Sequence, residues 1–433
     1  MNTHRHEFDP QTPVCPHAWG LDPAIAMLNH GSFGACPRRV LERQADLRRQ
    51  MEAEPVRFLV HEAQPLLDQS RQTLARLIGS EPQNLVFVTN ATTGVNAVLR
   101  SLHFQPDDEL LVTDHAYNAC ANALRYVAQR AGARVITVEL PIPVASPEQV
   151  VEAVLAKVTQ RTRLAMLDHA TSATGMVFPI EELVSQLNSL GVDTLVDGAH
   201  APGMIPLDVS RLGAAYYTGN CHKWLCAPKG AGFLYARPDR QEGLQPLVIS
   251  HGYNVPRPNY TRFQDVFDWQ GTNDPTPWLC VGPAIEFLGT LLEGGIQALM
   301  RRNHELAVAA QRLLCQRLPL RPTCPEHMLG SMAALMLPPG SAPPASDPAG
   351  PAPLPRFGSQ LLEELGIEVP VYYWQGTEQA ILRISAQAYN SLPQYERLAT
   401  AVQTLLAAPQ TIRKGCSNAP GSLAPGASPS SSG

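Results

Sequence analysis

Residues 193–230 constrain the fold of this chain most, because two apolar runs there are each followed by an ionisable group. The run 194–196 has the pattern of a short buried strand and ends on Asp197, and the run 214–218 leads through a small-residue turn to Lys223. In α/β proteins, ionisable residues at the carboxyl ends of buried strands usually face a ligand crevice. The pattern therefore predicts that Asp197 and Lys223 meet at one end of a sheet.

That pair of residues suits a specific chemistry. A lysine amine can form a Schiff base with an aldehyde cofactor, and a carboxylate can keep a pyridinium nitrogen protonated, which makes the ring an electron sink. The alternative is that Asp197 is an ordinary turn residue and Lys223 a solvated surface lysine. The motif DGAH followed by HKW, in that order, favours the chemical interpretation.

The two motifs resemble those of the class V aminotransferase family of pyridoxal-phosphate enzymes, and DGAHAPG with TGNCHKW is most similar to its isopenicillin N epimerase-like branch. The resemblance covers about residues 20–405, apart from a Pro-rich insert. It implies the aspartate-aminotransferase-like fold type I, an α/β fold with a mostly parallel sheet in a large domain and a smaller α+β domain. It also implies pyridoxal 5'-phosphate as the cofactor, held by Lys223.

Apolar periodicity supports the same fold class without the resemblance. Strands and helices alternate along the first two thirds of the chain, and βαβ alternation requires a mostly parallel sheet with helices on both faces. The predicted strands are 85–88, 109–113, 133–139, 164–167, 194–196, 232–235, 332–337, 367–371 and 380–385. The predicted helices are 38–53, 61–78, one that begins near Thr93, 147–157, 180–190, 282–292, 296–317, 357–365 and 393–407.

The predicted domain organisation has four parts. They are an N-terminal segment 1–30 that packs on the small domain and the active-site mouth, a large cofactor domain 31–290, a small C-terminal domain 291–408 and a tail 409–433. The Pro-rich insert 338–355 and the tail, which is rich in Ser, Gly, Pro and Ala, are predicted to be disordered because neither has the apolar residues to pack a core.

The resemblance implies roles for further residues. The expected cofactor contacts are Asp197 at the ring nitrogen, His200 at the cofactor or Asp197, His222, Thr92 and Thr93 at the phosphate, His115 stacked on the ring, Ser172 near the ring hydroxyl, and Thr272 at the phosphate of a neighbouring subunit. The expected substrate contacts are Arg383, whose planar guanidinium suits a carboxylate, and Asn29 and His30 in the LNHGSFG segment. Lys223 is the expected base at the α-carbon.

Several of these expected roles have an alternative explanation or a competing residue. Threonines at a strand-to-helix turn bind an anion or only cap the helix. Tyr117 competes with His115 for the cofactor ring, and Ser172 stands where related desulfurases have Asn. Thr272 has the alternative of capping the next helix, and Arg383 that of facing solvent from an edge strand.

The amino-acid composition limits the binding partners and the cellular compartment that we expect for this protein. The net charge of −5 gives no reason to expect nucleic acid or an anionic membrane as a partner, and the chain has no run of eighteen apolar residues that predicts a membrane span. The N-terminus lacks the apolar core of a signal peptide, and the nine cysteines contain no CxxC. We therefore expect a cytoplasmic protein with reduced thiols and no metal site. A small amino-acid-type substrate is the expected partner, with a homodimer implied by Thr272.

The reaction that follows proton removal from the α-carbon is not set by these residues. Reprotonation on the other face is epimerisation, reprotonation on the cofactor is transamination, and loss of a β-substituent is C–S lysis. A cysteine desulfurase needs a nucleophilic cysteine shortly before Arg383, yet there is none between Cys324 and Cys416, where the segment reads VPVYYWQG. Epimerase-like chemistry is therefore favoured, with a C–S β-lyase or an aminotransferase as the alternative. A catalytically idle cofactor-binding interaction protein is a more remote one.

Overall fold

A computed structural model describes residues 9–339, 341, 356–374 and 379–407. Its centre is a seven-stranded sheet in the order β2-β8-β7-β6-β5-β3-β4, in which β8 runs antiparallel to both neighbours and the other pairs are parallel. The α/β class and the mostly parallel sheet are confirmed. The predicted disorder of the tail and of nearly all of the Pro-rich insert falls outside the described residues.

The described strands form three sheets. Besides the central sheet, β12-β13-β10-β9 make an antiparallel sheet, called here the C-terminal sheet, and β1 pairs with β11 in parallel. The strands are β1 Ala26–Met27, β2 Leu85–Val88, β3 Glu109–Thr113, β4 Arg134–Val138, β5 Thr162–Asp168, β6 Asp193–Gly198, β7 Tyr216–Asn220, β8 Gly232–Ala236, β9 Arg321–Pro322, β10 Met332–Met336, β11 Ile367–Glu368, β12 Val371–Tyr373 and β13 Ala380–Ser385.

Helices cover both faces of the central sheet, and within the described ranges none is long and apolar enough to cross a membrane. The α-helices are α1 His30–Phe33, α2 Arg38–Ala53, α3 Pro55–Arg57, α4 Ala63–Ile78, α5 Ala91–Ser101, α6 Asn118–Ala131, α7 Pro147–Leu155, α8 Ile180–Ser189, α9 Val209–Leu212, α10 Arg262–Asp268, α11 Thr276–Leu279, α12 Val281–Gly289, α13 Gly295–Arg317, α14 Arg356–Glu363 and α15 Leu392–Ala407.

Alternation along the strands divides the core between the two faces of the central sheet. In β5, Leu164 and Met166 pack into one buried cluster, whereas Ala165 and Leu167 pack into the other. Side chains of successive strand residues point to opposite faces, so a strand that is buried on both sides reads as a continuous apolar run. This explains why the predicted strands lie close to the observed ones.

Two predicted elements differ from the structure for local reasons. The strand predicted at 367–371 is split, because β11 pairs with β1 while β12 joins the C-terminal sheet. Pro370 lies between them and has no N–H to donate to a ladder. The helix predicted from about Thr93 begins at Ala91, because the Asn90 side chain caps it by accepting from the Thr93 N–H at 2.9 Å.

Gly94 tests how tightly α5 packs on the central sheet. A Cβ at Gly94 would collide with the side chain of Thr218 on β7, whereas a Cβ at Gly289, the last residue of α12, would meet nothing within 4 Å. We expect Gly94→Ala to destabilise the fold by about 1–3 kcal/mol through overpacking. Gly289→Ala should change stability by less than about 1 kcal/mol. Urea unfolding of both variants measures the difference, and equal stabilities would contradict the packing described.

Candidate active site

The central sheet brings Asp197 and Lys223 to one edge. Asp197 lies near the carboxyl end of β6, where it pairs with Thr218 of β7, and Lys223 follows three residues after β7 ends. Both side chains are buried, and the charge of Asp197 acts on the Lys223 amine. The two residues on which the sequence interpretation depends therefore share one buried edge of the sheet.

The lysine amine contacts an imidazole whose tautomer is fixed by a tryptophan. Lys223 Nζ lies 3.0 Å from His200 Nε2, and the Trp224 indole N–H donates to His200 Nδ1 at 3.4 Å. An indole N–H only donates, so Nδ1 is the acceptor and the His200 proton sits on Nε2. The Nε2–H then donates to Lys223 Nζ, which requires a neutral amine with a free lone pair.

The lowered pKa of Lys223 agrees with this hydrogen-bond pattern. Burial, followed by the nearby charge of Arg383, lowers the pKa of Lys223 to about 7, against the opposing effect of Asp197. Burial, followed by the charge of Lys223, also lowers the pKa of His200 well below its usual value, so that His200 is neutral. A neutral lysine amine is the nucleophilic and basic form.

The Asp197 carboxylate is held by two donors and has a second carboxyl beside it. The Ala199 N–H donates to Oδ1 at 3.0 Å, and the Cys120 thiol donates to Oδ2 at 3.1 Å. Asp168 pairs with Asp197 across β5 and β6. Burial, followed by the charge of Asp197, raises the pKa of Asp168 well above its usual value, so Asp168 keeps its proton beside the ionised residue.

The N-terminus of α5 lies beside these strands and is partly capped. Asn220, the last residue of β7, accepts from the Ala91 N–H at 2.8 Å, and Asn90 accepts from the Thr93 N–H at 2.9 Å. The Thr92 hydroxyl lies close enough to the Cys120 thiol to oppose the rise in the pKa of Cys120 that burial causes. A helix N-terminus with hydroxyl side chains suits a phosphate, as predicted for Thr92 and Thr93.

His222 and Lys229 lie on either side of the lysine turn but are held by backbone carbonyls. His222 Nδ1 contacts the Ala231 carbonyl oxygen at 3.1 Å, which leaves Nε2 as its outward atom. Burial lowers the pKa of His222 to about 4. The Lys229 amine donates to the Gly34 carbonyl at 2.9 Å. It is therefore hydrogen-bonded to a backbone oxygen, whereas the amine of Lys223 contacts the side chain of His200.

His115 occupies a turn after β3 and is covered by a tryptophan. Its Nδ1 lies 2.9 Å from the Thr174 hydroxyl, and its ring centroid lies 4.4 Å from that of Trp374. Burial lowers the pKa of His115 to about 3, and its Nε2 is buried without a hydrogen-bond partner. Tyr117, its competitor for the cofactor ring, is half-exposed.

Arg383 is buried at the end of β13 and does not face bulk solvent. One guanidinium nitrogen, Nη2, donates to Asn29 Oδ1 and to Ser32 Oγ, both at 3.0 Å, and the other, Nη1, donates to the Ser172 carbonyl. The remaining nitrogen, Nε, is buried without a partner. The structure thus brings Arg383 together with Asn29 and Ser172, two of the predicted site residues.

His30 is fully buried behind the lysine turn. Its Nδ1 lies 2.8 Å from the Tyr389 hydroxyl and its Nε2 lies 3.0 Å from the Lys223 carbonyl oxygen. Burial lowers the pKa of His30 to about 3. His30 therefore supports the backbone of Lys223, and its predicted contact with substrate stays a prediction.

Thr272 lies on an exposed loop before α11. The same loop carries Asp274, which accepts from Arg48 at 2.7 Å. The predicted reach of Thr272 into a neighbouring subunit stays a prediction, because it concerns a second chain.

The donor set fits pyridoxal phosphate better than a metal ion. A buried neutral lysine, a carboxylate with fixed hydrogen bonds and a helix N-terminus match its aldehyde, ring nitrogen and phosphate. The orphaned Arg383 Nε suits a substrate carboxylate. Over the described residues, no three or more His, Cys, Asp or Glu side chains are grouped as metal ligands would be.

Sequence reasoning missed several contributors to the site. Cys120 donates to Asp197 from α6, Ser32 binds Arg383, and Trp224 fixes the His200 tautomer. Tyr372 and Trp374 lie against Arg383 and His115. Only the last pair had a usable signal, because alternate aromatic residues in VPVYYWQG share one face of an extended segment.

Comparison with known proteins gives one family and two kinds of relative. A family model described as aminotransferase class V matches residues 12–331. The isopenicillin N epimerase of Streptomyces clavuligerus is 38% identical over 89% of this chain and 96% of its own length. A putative L-cysteine desulfhydrase of Oryza sativa subsp. japonica is 33% identical over 88% of this chain and 83% of its own length.

Solved structures share the fold at lower identity. A cysteine desulfurase from Escherichia coli superposes with a TM-score of 0.72 at 23% identity, over 90% of this chain and 97% of that one. The cystine C–S lyase C-DES, solved with cysteine persulfide, superposes with a TM-score of 0.74 at 21% identity, over 88% and 97%. At these identities the likeness concerns the fold.

The tautomer of His200 gives a test of the lysine site. In cofactor-free protein, acylation of Lys223 should rise with pH and reach its half-point near pH 7, since only the neutral amine reacts and its pKa is lowered to about 7. Trp224→Phe removes the indole donor, so Nε2 of His200 becomes free to accept from a charged amine. The half-point should then move to higher pH, as peptide mapping by mass spectrometry would measure.

Trp278 provides the matched control, because its buried indole donates to the Val88 carbonyl rather than to His200. Trp278→Phe should leave the half-point near that of the unmodified protein. A half-point for Lys223 in the range of ordinary exposed lysines would contradict the assignment of a neutral amine.

Proposed function

Because this chain belongs to the class V aminotransferase family, we propose that it is a pyridoxal-phosphate enzyme that epimerises the α-carbon of an amino acid or amino-acid derivative. The observation that carries the proposal is the buried position of the Lys223 amine, 3.0 Å from His200 at the edge where Asp197 also lies. The isopenicillin N epimerase relative, which this chain matches over nearly its whole length, supports the choice of reaction.

Lys223 performs two tasks in this proposal. It would hold the cofactor covalently through its amine, and that amine, when free, would remove the α-proton of the substrate as a general base. Pyridoxal phosphate, when bound, supplies a ring that takes up the electron pair left on the α-carbon. Asp197, oriented by hydrogen bonds from the Ala199 N–H and the Cys120 thiol, would hold the ring nitrogen.

The remaining groups hold the phosphate and the substrate. The N-terminus of α5 with Thr92 would bind the phosphate. His222 donates its Nδ1–H to the Ala231 carbonyl, so its Nε2 could donate to the phosphate only when the ring is protonated. Arg383 binds the substrate carboxylate through its unpaired Nε and by exchange of its hydrogen bonds to Asn29 and Ser32. This places the carboxylate between the Lys223 turn and the N-terminal segment.

Epimerisation also needs a proton donor on the face opposite Lys223. His30 and His115 suit it poorly, because burial lowers the pKa of each to about 3 and both have a ring nitrogen engaged within the protein. Tyr117 is the better candidate, because burial raises its pKa and keeps its phenol protonated. A donor of this kind is typically worth about two to four orders of magnitude in rate.

A C–S β-lyase is the second candidate function. It is favoured by the 33% identity to a putative L-cysteine desulfhydrase and uses the same proton removal by Lys223. The fate of the β-substituent distinguishes the two reactions, since a lyase releases it together with a keto acid. A catalytically idle cofactor-binding protein would show no exchange of the α-proton at all.

The proposed active unit is a homodimer in which Thr272 completes the phosphate site of the neighbouring subunit. Thr272 is exposed, and an exposed apolar run precedes it in the chain. Large exposed apolar side chains in one segment are typical of a surface that another chain covers. The run comprises Leu247, Val248, Ile249, Tyr253 and Val255.

A cytoplasmic location is also part of the proposal. All eight cysteines in the described ranges are free thiols, and six of them are buried. Free thiols persist in a reducing compartment. Cell fractionation with antibody detection would contradict the location if the protein were recovered only outside the cytoplasm.

The reaction branch is tested by exchange in deuterated water. The holoenzyme should incorporate deuterium at the α-carbon of a substrate amino acid with inversion of configuration and without keto acid, as chiral chromatography and mass spectrometry would show. Lys223→Ala should slow exchange by about 10²–10⁴-fold because the base is lost. Lys229→Ala should retain exchange, because its amine is bonded to the Gly34 carbonyl. Sulfide or pyruvate release would assign the chain to the lyases instead.

The shared site is tested by mixing inactive variants. Lys223→Ala mixed with Thr272→Ala should regain activity, because about a quarter of the sites carry neither lesion when subunits pair at random. Lys223→Ala mixed with Arg383→Ala should regain none, since both residues lie in the site of one chain. Sedimentation of a fully active monomer would refute the dimer.

A further inference from the structure

The edge strand of the C-terminal sheet carries two aromatic residues on one face. β12 pairs antiparallel with β13, and the ladder continues past its end because the Trp374 N–H donates to the Gln379 carbonyl at 2.8 Å. Residues two apart in an extended chain point the same way. Tyr372 and Trp374 therefore share a face, and Tyr373 between them points to the other.

The packing of this strand shows which face looks towards the active site. Tyr373 packs against the main apolar core, whereas Trp374 packs with Met336 and Ile381 in a separate small cluster. Across the strands, Tyr372 pairs with Ile381, and Ile381 with Met336. Arg383, two residues along β13 from Ile381, is on this same face, so the face is that of the substrate carboxylate site.

Two contacts tie the aromatic residues to the reacting groups. The Arg383 guanidinium carbon lies 5.4 Å from the Tyr372 ring centroid. The Trp374 ring centroid lies 4.4 Å from that of His115, the residue expected on the cofactor ring. Tyr117 is two residues along the chain from His115, and its phenol is close enough to Tyr372 to interact with it electrostatically.

We propose that Tyr372, Trp374 and Tyr117 form an aromatic wall that selects an amino acid with an aromatic side chain as substrate. The inference rests on the proposed function, since it concerns the side chain of the molecule whose carboxylate Arg383 binds. None of the wall residues, nor Ile381 or Met336, has a carboxylate, ammonium or guanidinium group. A charged side chain placed there would be desolvated without a partner, whereas a ring gains offset or edge-on contacts with other rings.

The test is a binding series on the holoenzyme, followed through the absorbance of the bound cofactor. L-phenylalanine should bind with a Kd about tenfold lower than that of L-leucine, which is apolar but has no ring, because ring pairs add to simple burial. L-glutamate should bind more weakly than both. The α-carboxylate and α-amine are common to all three, so the series reports the side chain alone.

Variants of the strand locate the effect. Tyr372→Leu and Trp374→Leu should each reduce the preference for phenylalanine over leucine several-fold while leucine binding changes little. Tyr373→Leu is the matched control on the opposite face and should keep the preference. One wall variant could fail to fold, which would be visible as loss of cofactor absorbance. The other wall variant would then still test the preference.

The outcomes separate this inference from the proposed function. Equal binding of phenylalanine and leucine, or loss of the preference in Tyr373→Leu alone, would overturn the aromatic wall and leave the cofactor chemistry standing. Failure of any amino acid to change the cofactor absorbance would overturn the proposed function and the inference with it. A preference for phenylalanine that depends on Tyr372 and Trp374 supports both.

Discussion

The candidate active site depends on the contact between the neutral amine of Lys223 and His200. Burial and the charge of Arg383 lower the pKa of Lys223, which favours the neutral amine. The Trp224 indole fixes the His200 tautomer, so that the Nε2–H of His200 donates to this amine. A protonated lysine would face an imidazole N–H at 3.0 Å and would have no acceptor there. The strands β6 and β7, the buried turn after them and the packing of Trp224 all serve to keep this arrangement closed to water.

Much of the fold and the centre of the site could be predicted from the sequence because the signals are local. Strands buried on both faces give apolar runs, and the runs at β6 and β7 are followed in the sequence by two ionisable residues, Asp197 and Lys223, that core packing does not require. The parallel pairing that brings them together follows from the βαβ alternation around them. Neither inference needs knowledge of residues far away in the chain.

The rest of the site could not be predicted because it is assembled over long sequence distances. Ser32 reaches Arg383 across 351 residues, and Cys120 reaches Asp197 across 77. Such contacts depend on how α1, α6 and the C-terminal sheet are placed against the central sheet, and hydrophobic periodicity does not encode that placement. His30 illustrates the limit, because nothing in its polar, glycine-containing motif indicates that the ring is fully buried against Tyr389 and the Lys223 carbonyl.

In the proposed function, Arg383 would link substrate binding to the base. Its buried guanidinium is one cause of the low pKa of Lys223, second to burial itself. A carboxylate bound at Arg383 would offset that positive charge, and the pKa of Lys223 would then rise. The free amine would be less basic while Arg383 is unpaired and a stronger base once the carboxylate is in place. The same ion pair that positions the α-carbon would thus also strengthen the group that removes its proton, and this coupling requires only that Arg383 stay buried close to Lys223.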